Sequence, residues 1–132
     1  MPSSDDFADE ALTLIVEAGG SWWFGLLDAA PSDDLSTFSL IADIPTVEMP
    51  RDSATWSVAG RQANPADPIA LDASALVADV VPLGWCLFDD EAGTLPRLAG
   101  RLADIKVTPG SAVNVPVATV TIRYPATVAA TL

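Results

Sequence analysis

Hydrophobic and polar residues alternate with a period of two over much of the chain, which is typical of half-buried β-strands. In residues 80–88, for example, alternation sends Trp85 and Leu87 to one face and Cys86 and Phe88 to the other. Gly, Pro and Asp separate the alternating runs and indicate turns. The predicted strands are residues 11–16, 22–27, 44–49, 55–59, 80–88, 94–98, 102–108, 113–117 and 119–124.

Eight or nine short strands at such spacing predict an all-β chain, folded as an antiparallel β-sandwich of which a jelly roll is one form. Only residues 31–44 indicate helix, a short turn capped by Ser32, Asp33 or Asp34. Within residues 60–79 two Asx-Pro pairs break the pattern, and residues 71–77 fit either a strand or a turn. The expected organisation is an acidic N-terminal segment (1–10), one sandwich domain (11–124) and an apolar C-terminal tail (125–132).

The composition narrows the function classes. The 132 residues include 18 acids, 6 bases and no histidine, for a net charge of −12. Without histidine there is no Ser-His-Asp triad, no histidine-ligated zinc and no imidazole base. Cys86 is the single cysteine, so no disulfide forms within the chain. We therefore expect no enzyme and no cofactor, and the negative charge argues against nucleic acid as a partner.

Half of the residues are apolar, yet no run approaches the roughly 20 apolar residues of a membrane span. No basic segment precedes an apolar one at the start of the chain, so we expect no secretory signal. Residues 1–50 hold ten acids and no base, whereas the rest holds eight acids and all six bases. This asymmetry favours either contact between unlike halves of two subunits or a solvated acidic face on one domain.

Two acidic clusters are the candidates for a metal site. Asp89, Asp90 and Glu91 are adjacent and could ligate Ca²⁺, but they lack the alternating spacing of an EF-hand loop. In a strand–turn–strand context consecutive acids are more often solvated turn residues. The acids near the N-terminus likewise lack spaced ligands and fit a polar lead-in segment.

The aromatic residues are the candidates for an interface. Trp22 and Trp23 are adjacent in a predicted strand, so their side chains point to opposite faces. One enters the core, and the other either meets a partner or is covered by the loop that follows. Exposed tryptophans commonly anchor interfaces. We add Phe7 in the N-terminal segment and Val128 and Leu132 in the tail as contact candidates.

Over residues 11–124 the chain resembles small virion accessory proteins of tailed bacteriophages. The resemblance is carried by the Trp-Trp-Phe-Gly-Leu-Leu strand at 22–27, the loop at 31–44, and Val80 to Asp90, where a strand with a Gly-aromatic pair runs into an acidic hairpin. The last strands, with a Pro109-Gly110 turn, follow the same order. Such proteins, of the head decoration, head fibre or minor tail type, are often trimeric β-sandwiches. Met49-Pro50-Arg51 stands where a Gly-aromatic pair is expected, and few aromatics lie near residue 71, which leaves the subfamily open.

The resemblance implies a non-enzymatic structural protein, most specifically a capsid decoration (cement) protein. Its partners would be itself, as a homotrimer, and the major capsid protein. Its place would be the capsid exterior, after a soluble stage in the host cytoplasm. The alternatives are a tail, fibre or baseplate component, or a small Ca²⁺- or carbohydrate-binding module. That module would stack sugars on Trp56 or Trp85 beside the acidic hairpin.

Overall fold

The computed structural model describes residues 4–102 and 105–123. Antiparallel strands dominate this part of the chain, as expected from the alternating pattern, so the antiparallel β-rich class is confirmed. One α-helix precedes nine strands, and a single 3-10 turn lies before the last strand. The elements are α1 (Asp5–Val16), β1 (Ser21–Leu27), β2 (Val47–Pro50), β3 (Trp56–Ala59), β4 (Gln62–Pro65), β5 (Ile69–Asp72), β6 (Gly84–Phe88), β7 (Pro96–Arg101), β8 (Ala112–Val115), the 3-10 turn (Val117–Thr119) and β9 (Ile122–Arg123).

The helix α1 replaces the strand predicted at residues 11–16, so that prediction is wrong. Ser4 caps the helix, since its side chain accepts a hydrogen bond from the Phe7 N–H at 3.1 Å. The buried residues Ala8, Leu12 and Val16 recur every four residues, which is the spacing of one helical face. Leu14, the residue that completed the apparent alternation, is 72% exposed. The helix also crosses the expected domain boundary between residues 10 and 11.

The largest sheet contains four strands in the order β2-β1-β6-β7, with every neighbouring pair antiparallel. β1 and β6 are central and almost entirely buried, which explains their near-continuous apolar sequences. The acidic hairpin predicted between the strands at 80–88 and 94–98 is confirmed, since β6 and β7 are joined there. Gly93 closes its loop at a φ of +73°, a left-handed conformation that glycine adopts without strain.

The other strands form a three-stranded sheet, β3-β4-β9, and a two-stranded sheet, β5-β8. β4 was not predicted, because Pro65 suggested a broken chain; Pro65 instead lies at the end of β4. Residues 71–77, which fitted either a strand or a turn, contain the last two residues of β5 followed by a turn. Gly60 and Arg61 form the β3–β4 turn with φ values of 60° and 68°. Asp9 of α1 accepts the Arg61 N–H at 2.8 Å and so helps to hold a non-glycine residue in this conformation.

One hydrophobic core joins α1 and all three sheets. Its largest fully buried side chains include Trp56, Trp85, Phe24, Leu12 and Ile122. No polar or charged residue of the described chain is buried. Since three sheets rather than two surround this core, the sandwich and jelly-roll arrangement stays a prediction.

Residues 31–44 contain turns but no helix, so the predicted helical turn is wrong. Ser32 and Asp34 instead hydrogen-bond to nearby polar groups of the same loop, and Leu35 adopts a left-handed φ of 59°. We call residues 31–40 the strap, because they run over the face of the four-stranded sheet that points away from the main core. Among the described residues no helix has the length and apolarity to cross a bilayer.

Candidate interaction surface

Trp22 belongs to the core and not to an interface, which corrects its place among the contact candidates. Its side chain is 3% exposed and meets the Trp56 ring edge-on, with 5.8 Å between centroids. The Arg51 guanidinium lies 4.2 Å from the centroid of the Trp22 ring, a cation–π contact. Arg51 also donates from Nε to the Ile15 carbonyl at 3.1 Å, near the end of α1. Burial lowers the pKa of Arg51 from its ordinary value.

Trp23 is half-buried on the opposite face of β1, as the alternation predicted. There it packs against a second, smaller cluster, which the strap also covers. The buried members are Leu27, Cys86, Phe88 and Ala99, and the strap contributes Leu35, Phe38 and Leu40. This face is therefore covered largely from within the chain, and Trp23 keeps only part of its surface for a partner.

Two glycines make room for the strap. A Cβ on Gly25 would lie 2.6 Å from Leu40 Cδ1, and a Cβ on Gly93 would lie 2.6 Å from Leu40 Cδ2. Leu40 thus fills a notch between β1 and the β6–β7 hairpin. Phe38 packs on Phe88 with 5.6 Å between ring centroids. These contacts hold the strap by shape rather than by charge.

Cys86 is fully buried in this second cluster, as predicted for a small hydrophobic residue. Burial raises the pKa of its thiol to about 12. Since the thiolate is the reactive form, both the burial and the raised pKa disfavour reaction of this thiol in the folded chain at neutral pH.

The acidic hairpin is organised by Asp90. Its carboxylate accepts hydrogen bonds from the Thr94 hydroxyl and from the N–H groups of Thr94 and Leu95, at 2.5–3.1 Å. These donors, the hydroxyl foremost, hold the pKa of Asp90 below its ordinary value. Asp89 instead pairs with Arg97 Nε at 3.3 Å, and Glu91 is exposed. Within residues 4–102 and 105–123 no three His, Cys, Asp or Glu side chains are placed to hold a metal ion.

Three more aspartates have the same role in other turns. Asp34, Asp52 and Asp72 each accept the N–H of a residue two or three positions later. Hydrogen bonds from Ser36, Thr55 and Ser74 respectively are the main cause that lowers the pKa of each carboxyl. Much of the acidity in the turns therefore supports local structure.

The stacking residues named for the carbohydrate-binding alternative, Trp56 and Trp85, are not available for that role. Trp56 and Trp85 are 2% and 1% exposed, and Trp85 stacks on Phe24 with 6.3 Å between ring centroids. Neither ring can offer a face to a sugar without unfolding the core. The contact candidates Val128 and Leu132 lie outside the described residues, and Phe7 is 53% exposed.

An exposed apolar segment that sequence reasoning missed lies between β5 and β6, at residues 77–83, which we call the apolar loop. Val77, Val81 and Leu83 are 92%, 52% and 46% exposed. The loop is nevertheless fixed by its backbone, since Val80 exchanges two hydrogen bonds with Val107. The pattern at 80–88 predicted one strand throughout. Pro82 was the signal that the strand begins later, because proline interrupts a central strand.

Leu83 completes the anchoring of the apolar loop. Its N–H donates to the Leu27 carbonyl at 3.0 Å and its carbonyl accepts from the Leu102 N–H at 3.1 Å. Asp79 in the same loop pairs with Lys106 at 3.1 Å. The loop therefore presents apolar side chains to solvent from a held backbone.

Comparisons with models of protein families, with curated protein sequences and with solved structures find no significant match for the chain.

Proposed function

We propose that the protein is a non-enzymatic structural component of a tailed-phage virion, a capsid decoration protein that acts as a homotrimer on the exterior of the head. It works by surface contact and turns over no substrate. The resemblance of the β1, strap and β6 sequences to such proteins supports the class of function.

The apolar loop is the single structural observation that carries the proposal. Isolated exposed apolar residues are common on soluble proteins, but a group of them on a held loop marks a contact surface. Because hydrogen bonds already hold the backbone at Val80 and Leu83, little backbone entropy is lost when a partner covers Val81 and Leu83. Repeated around a symmetric particle, modest contacts of this kind add up through avidity.

The charge of the chain fits the same role. At −12 the surface repels other acidic proteins, so a cement protein of this composition stays dispersed until apolar contacts and specific pairing outweigh that repulsion. Asp28, Asp33 and Asp43, among other exposed acids, would face the solvent around the particle.

The test first asks whether a major capsid gene neighbours the gene of this chain, and then measures co-sedimentation of the purified chain with heads assembled from that capsid protein. We expect saturable binding that falls at least about tenfold in affinity in Val77→Asp and Val81→Asp, because a charge in an apolar contact is desolvated without a partner. Leu14→Asp is the control, since Leu14 is 72% exposed but lies on α1. Absence of binding to heads rejects the decoration role, and binding to tails alone supports the tail, fibre or baseplate alternative.

A further inference from the structure

The four-stranded sheet has two open edges. Its order β2-β1-β6-β7 leaves the outer sides of β2 and β7 unpaired by any strand of the described residues. Open edges offer unpaired N–H and C=O groups, which soluble proteins either guard or use for pairing. The direction of the strands permits pairing between copies, because β2 and β7 run in opposite directions within one sheet. A second copy in the same orientation therefore brings its β2 antiparallel to β7 of the first.

The backbone groups at the two edges are complementary. Leu102 donates its N–H to Leu83, so alternation along the β6–β7 ladder points the groups of Ala99 and Arg101 outward. Arg51 is hydrogen-bonded to Gly19 and Gly20, so the same alternation on β2 points the groups of Glu48 and Pro50 outward.

The side chains at the two edges carry opposite charges on one face. Glu48 lies opposite Trp23, and Arg101 lies opposite Gly84, which places both on the face that the strap covers. Glu48 is exposed, and its carboxylate accepts a hydrogen bond from the neutral Ser21 hydroxyl. Arg101 is also exposed and makes no ion pair with any described residue.

One register pairs the opposite charges and also aligns most of the outward backbone groups. Setting Glu48 of one copy opposite Arg101 of the next pairs all of β2 with residues 99–102. The outward groups of Glu48 then face those of Arg101, and Pro50 accepts from Ala99. Pro50 lacks an N–H, so it accepts from Ala99 but leaves the Ala99 carbonyl without a donor on β2, and the ladder contains three hydrogen bonds. Pairing of two β2 edges or two β7 edges would instead bring like charges together.

The molecule also leaves space beside the β2 edge. A groove of about 290 Å³ runs along Val47 to Pro50, and its far wall includes Pro65, Pro68 and Ile69. In the Glu48–Arg101 register Gly100 lies opposite Met49 and brings no side chain into this groove, so the space is left for the backbone of the added strand.

We propose that the sheet continues from copy to copy, with β2 of one chain adding to β7 of the next in the Glu48–Arg101 register. This pairing is head-to-tail, so it uses two different surfaces and closes into a ring when the rotation between copies permits. It deepens the self-association in the proposed function and rests on that part of it alone, not on binding to a capsid.

A charge swap tests the pairing by sedimentation velocity of the full chain across concentration. We expect Glu48→Arg and Arg101→Glu each to weaken association about tenfold or more, and the double variant to restore it. Glu48→Arg moves the net charge by two units from −12 towards neutrality, so general repulsion predicts the opposite change. Glu10→Arg and Arg123→Glu are matched controls, since both residues are exposed and lie on α1 and β9.

Cysteine pairs test the direction of the pairing. Hydrogen-bonded residues in an antiparallel ladder have Cα atoms about 5.5 Å apart, which suits a disulfide. We expect a Glu48→Cys chain mixed with an Arg101→Cys chain to cross-link on mild oxidation, and neither chain alone to do so. Buried Cys86 does not compete, because its pKa is raised to about 12.

The outcomes separate the two proposals. A wild-type chain that stays monomeric at every concentration rejects both the edge pairing and the homotrimer. A wild-type oligomer that is indifferent to the charge swap rejects the edge pairing alone. If Glu48→Arg associates more strongly than wild type, Glu48 opposes edge pairing rather than promoting it. If either single cysteine variant cross-links with itself, the copies pair by two-fold symmetry. Either result overturns the head-to-tail arrangement.

Discussion

The two faces of the four-stranded sheet are built from alternate residues of the same strands but are covered in different ways. The core face carries Trp22, Phe24 and Trp85, and α1 and the other two sheets join the core that covers it. The strap face carries Cys86 and Phe88, and one loop with half-buried side chains covers it. The strap is therefore a local cover, and its displacement leaves the main core in place.

The largest change in stability is expected from comparing substitutions at Trp85 and Cys86, which are adjacent in β6 but lie on opposite faces of the sheet. Trp85→Ala should lower the free energy of unfolding by about 3–5 kcal/mol, because it empties a large site in the core. Cys86→Ala removes one atom from the strap face and should cost about 1 kcal/mol. Urea denaturation of both variants measures the difference. Equal costs would mean that the two faces belong to one undivided core.

The next largest change in stability is expected from alanine substitution of two glycines, of which only Gly93 contacts the strap. Gly93 and Gly110 have φ values of +73° and +74°, but only a Cβ on Gly93 has neighbours within 4 Å, with Leu40 at 2.6 Å. Gly110→Ala should lower the free energy of unfolding by about 1 kcal/mol, because alanine is strained at a positive φ. Alanine at residue 93 should cost about 1–2 kcal/mol more, because it displaces Leu40. The extra cost at residue 93 should fall in a Leu40→Ala background. If it persists there, Leu40 does not fill the space beside Gly93.

A third variant tests how the core face holds its helix. Arg51→Met removes the cation over Trp22 and the hydrogen bond to Ile15, and should cost about 1–2 kcal/mol. Arg97→Met removes an exposed ion pair with Asp89 at the other edge of the sheet and should cost less than about 0.5 kcal/mol. Thermal and urea unfolding compare the two. A larger loss for Arg97→Met would contradict this assignment.

The smallest effect concerns pH and the hairpin that touches the strap. The pKa of Asp90 is lowered in the folded chain, so its stabilising contribution is present above the ordinary value of about 3.9 and is lost as the pH falls through the folded value. The stability difference between wild type and Asp90→Asn should therefore be greatest near neutral pH and shrink below about pH 4. Thr94→Val should weaken this trend, because it removes the main donor. A difference that grows on acidification would contradict the assigned hydrogen bonds.

The sequence predicted the part of the fold where period-two alternation and secondary structure agree. β1, β6 and the hairpin after β6 were found, including the opposite faces of Trp22 and Trp23. The helix was missed because the apolar residues of 11–16 fit the period of a strand as well as that of a helix. Only the cap at Ser4 and the burial of Ala8 distinguish the helix from a strand. Tertiary context, not local propensity, decided that case.

The candidate site was less predictable than the fold. An adjacent tryptophan pair shows that two faces exist, but not which one a distant loop will cover. The apolar loop was hidden because a run of hydrophobic residues does not reveal that its backbone is held while its side chains face solvent. β4 was obscured by Pro65, which is tolerated because it ends the strand.

The reactivity of Cys86 towards a thiol reagent tests most directly whether the strap is a local cover. We expect Leu40→Ala to accelerate the reaction by more than its effect on the free energy of unfolding accounts for, since the strap can open while the core stays folded. Leu12→Ala, on the core face, should accelerate it only as far as global unfolding does. If the two variants accelerate the reaction in equal proportion to their loss of stability, the strap opens only with the whole molecule and the separation of the two faces is wrong.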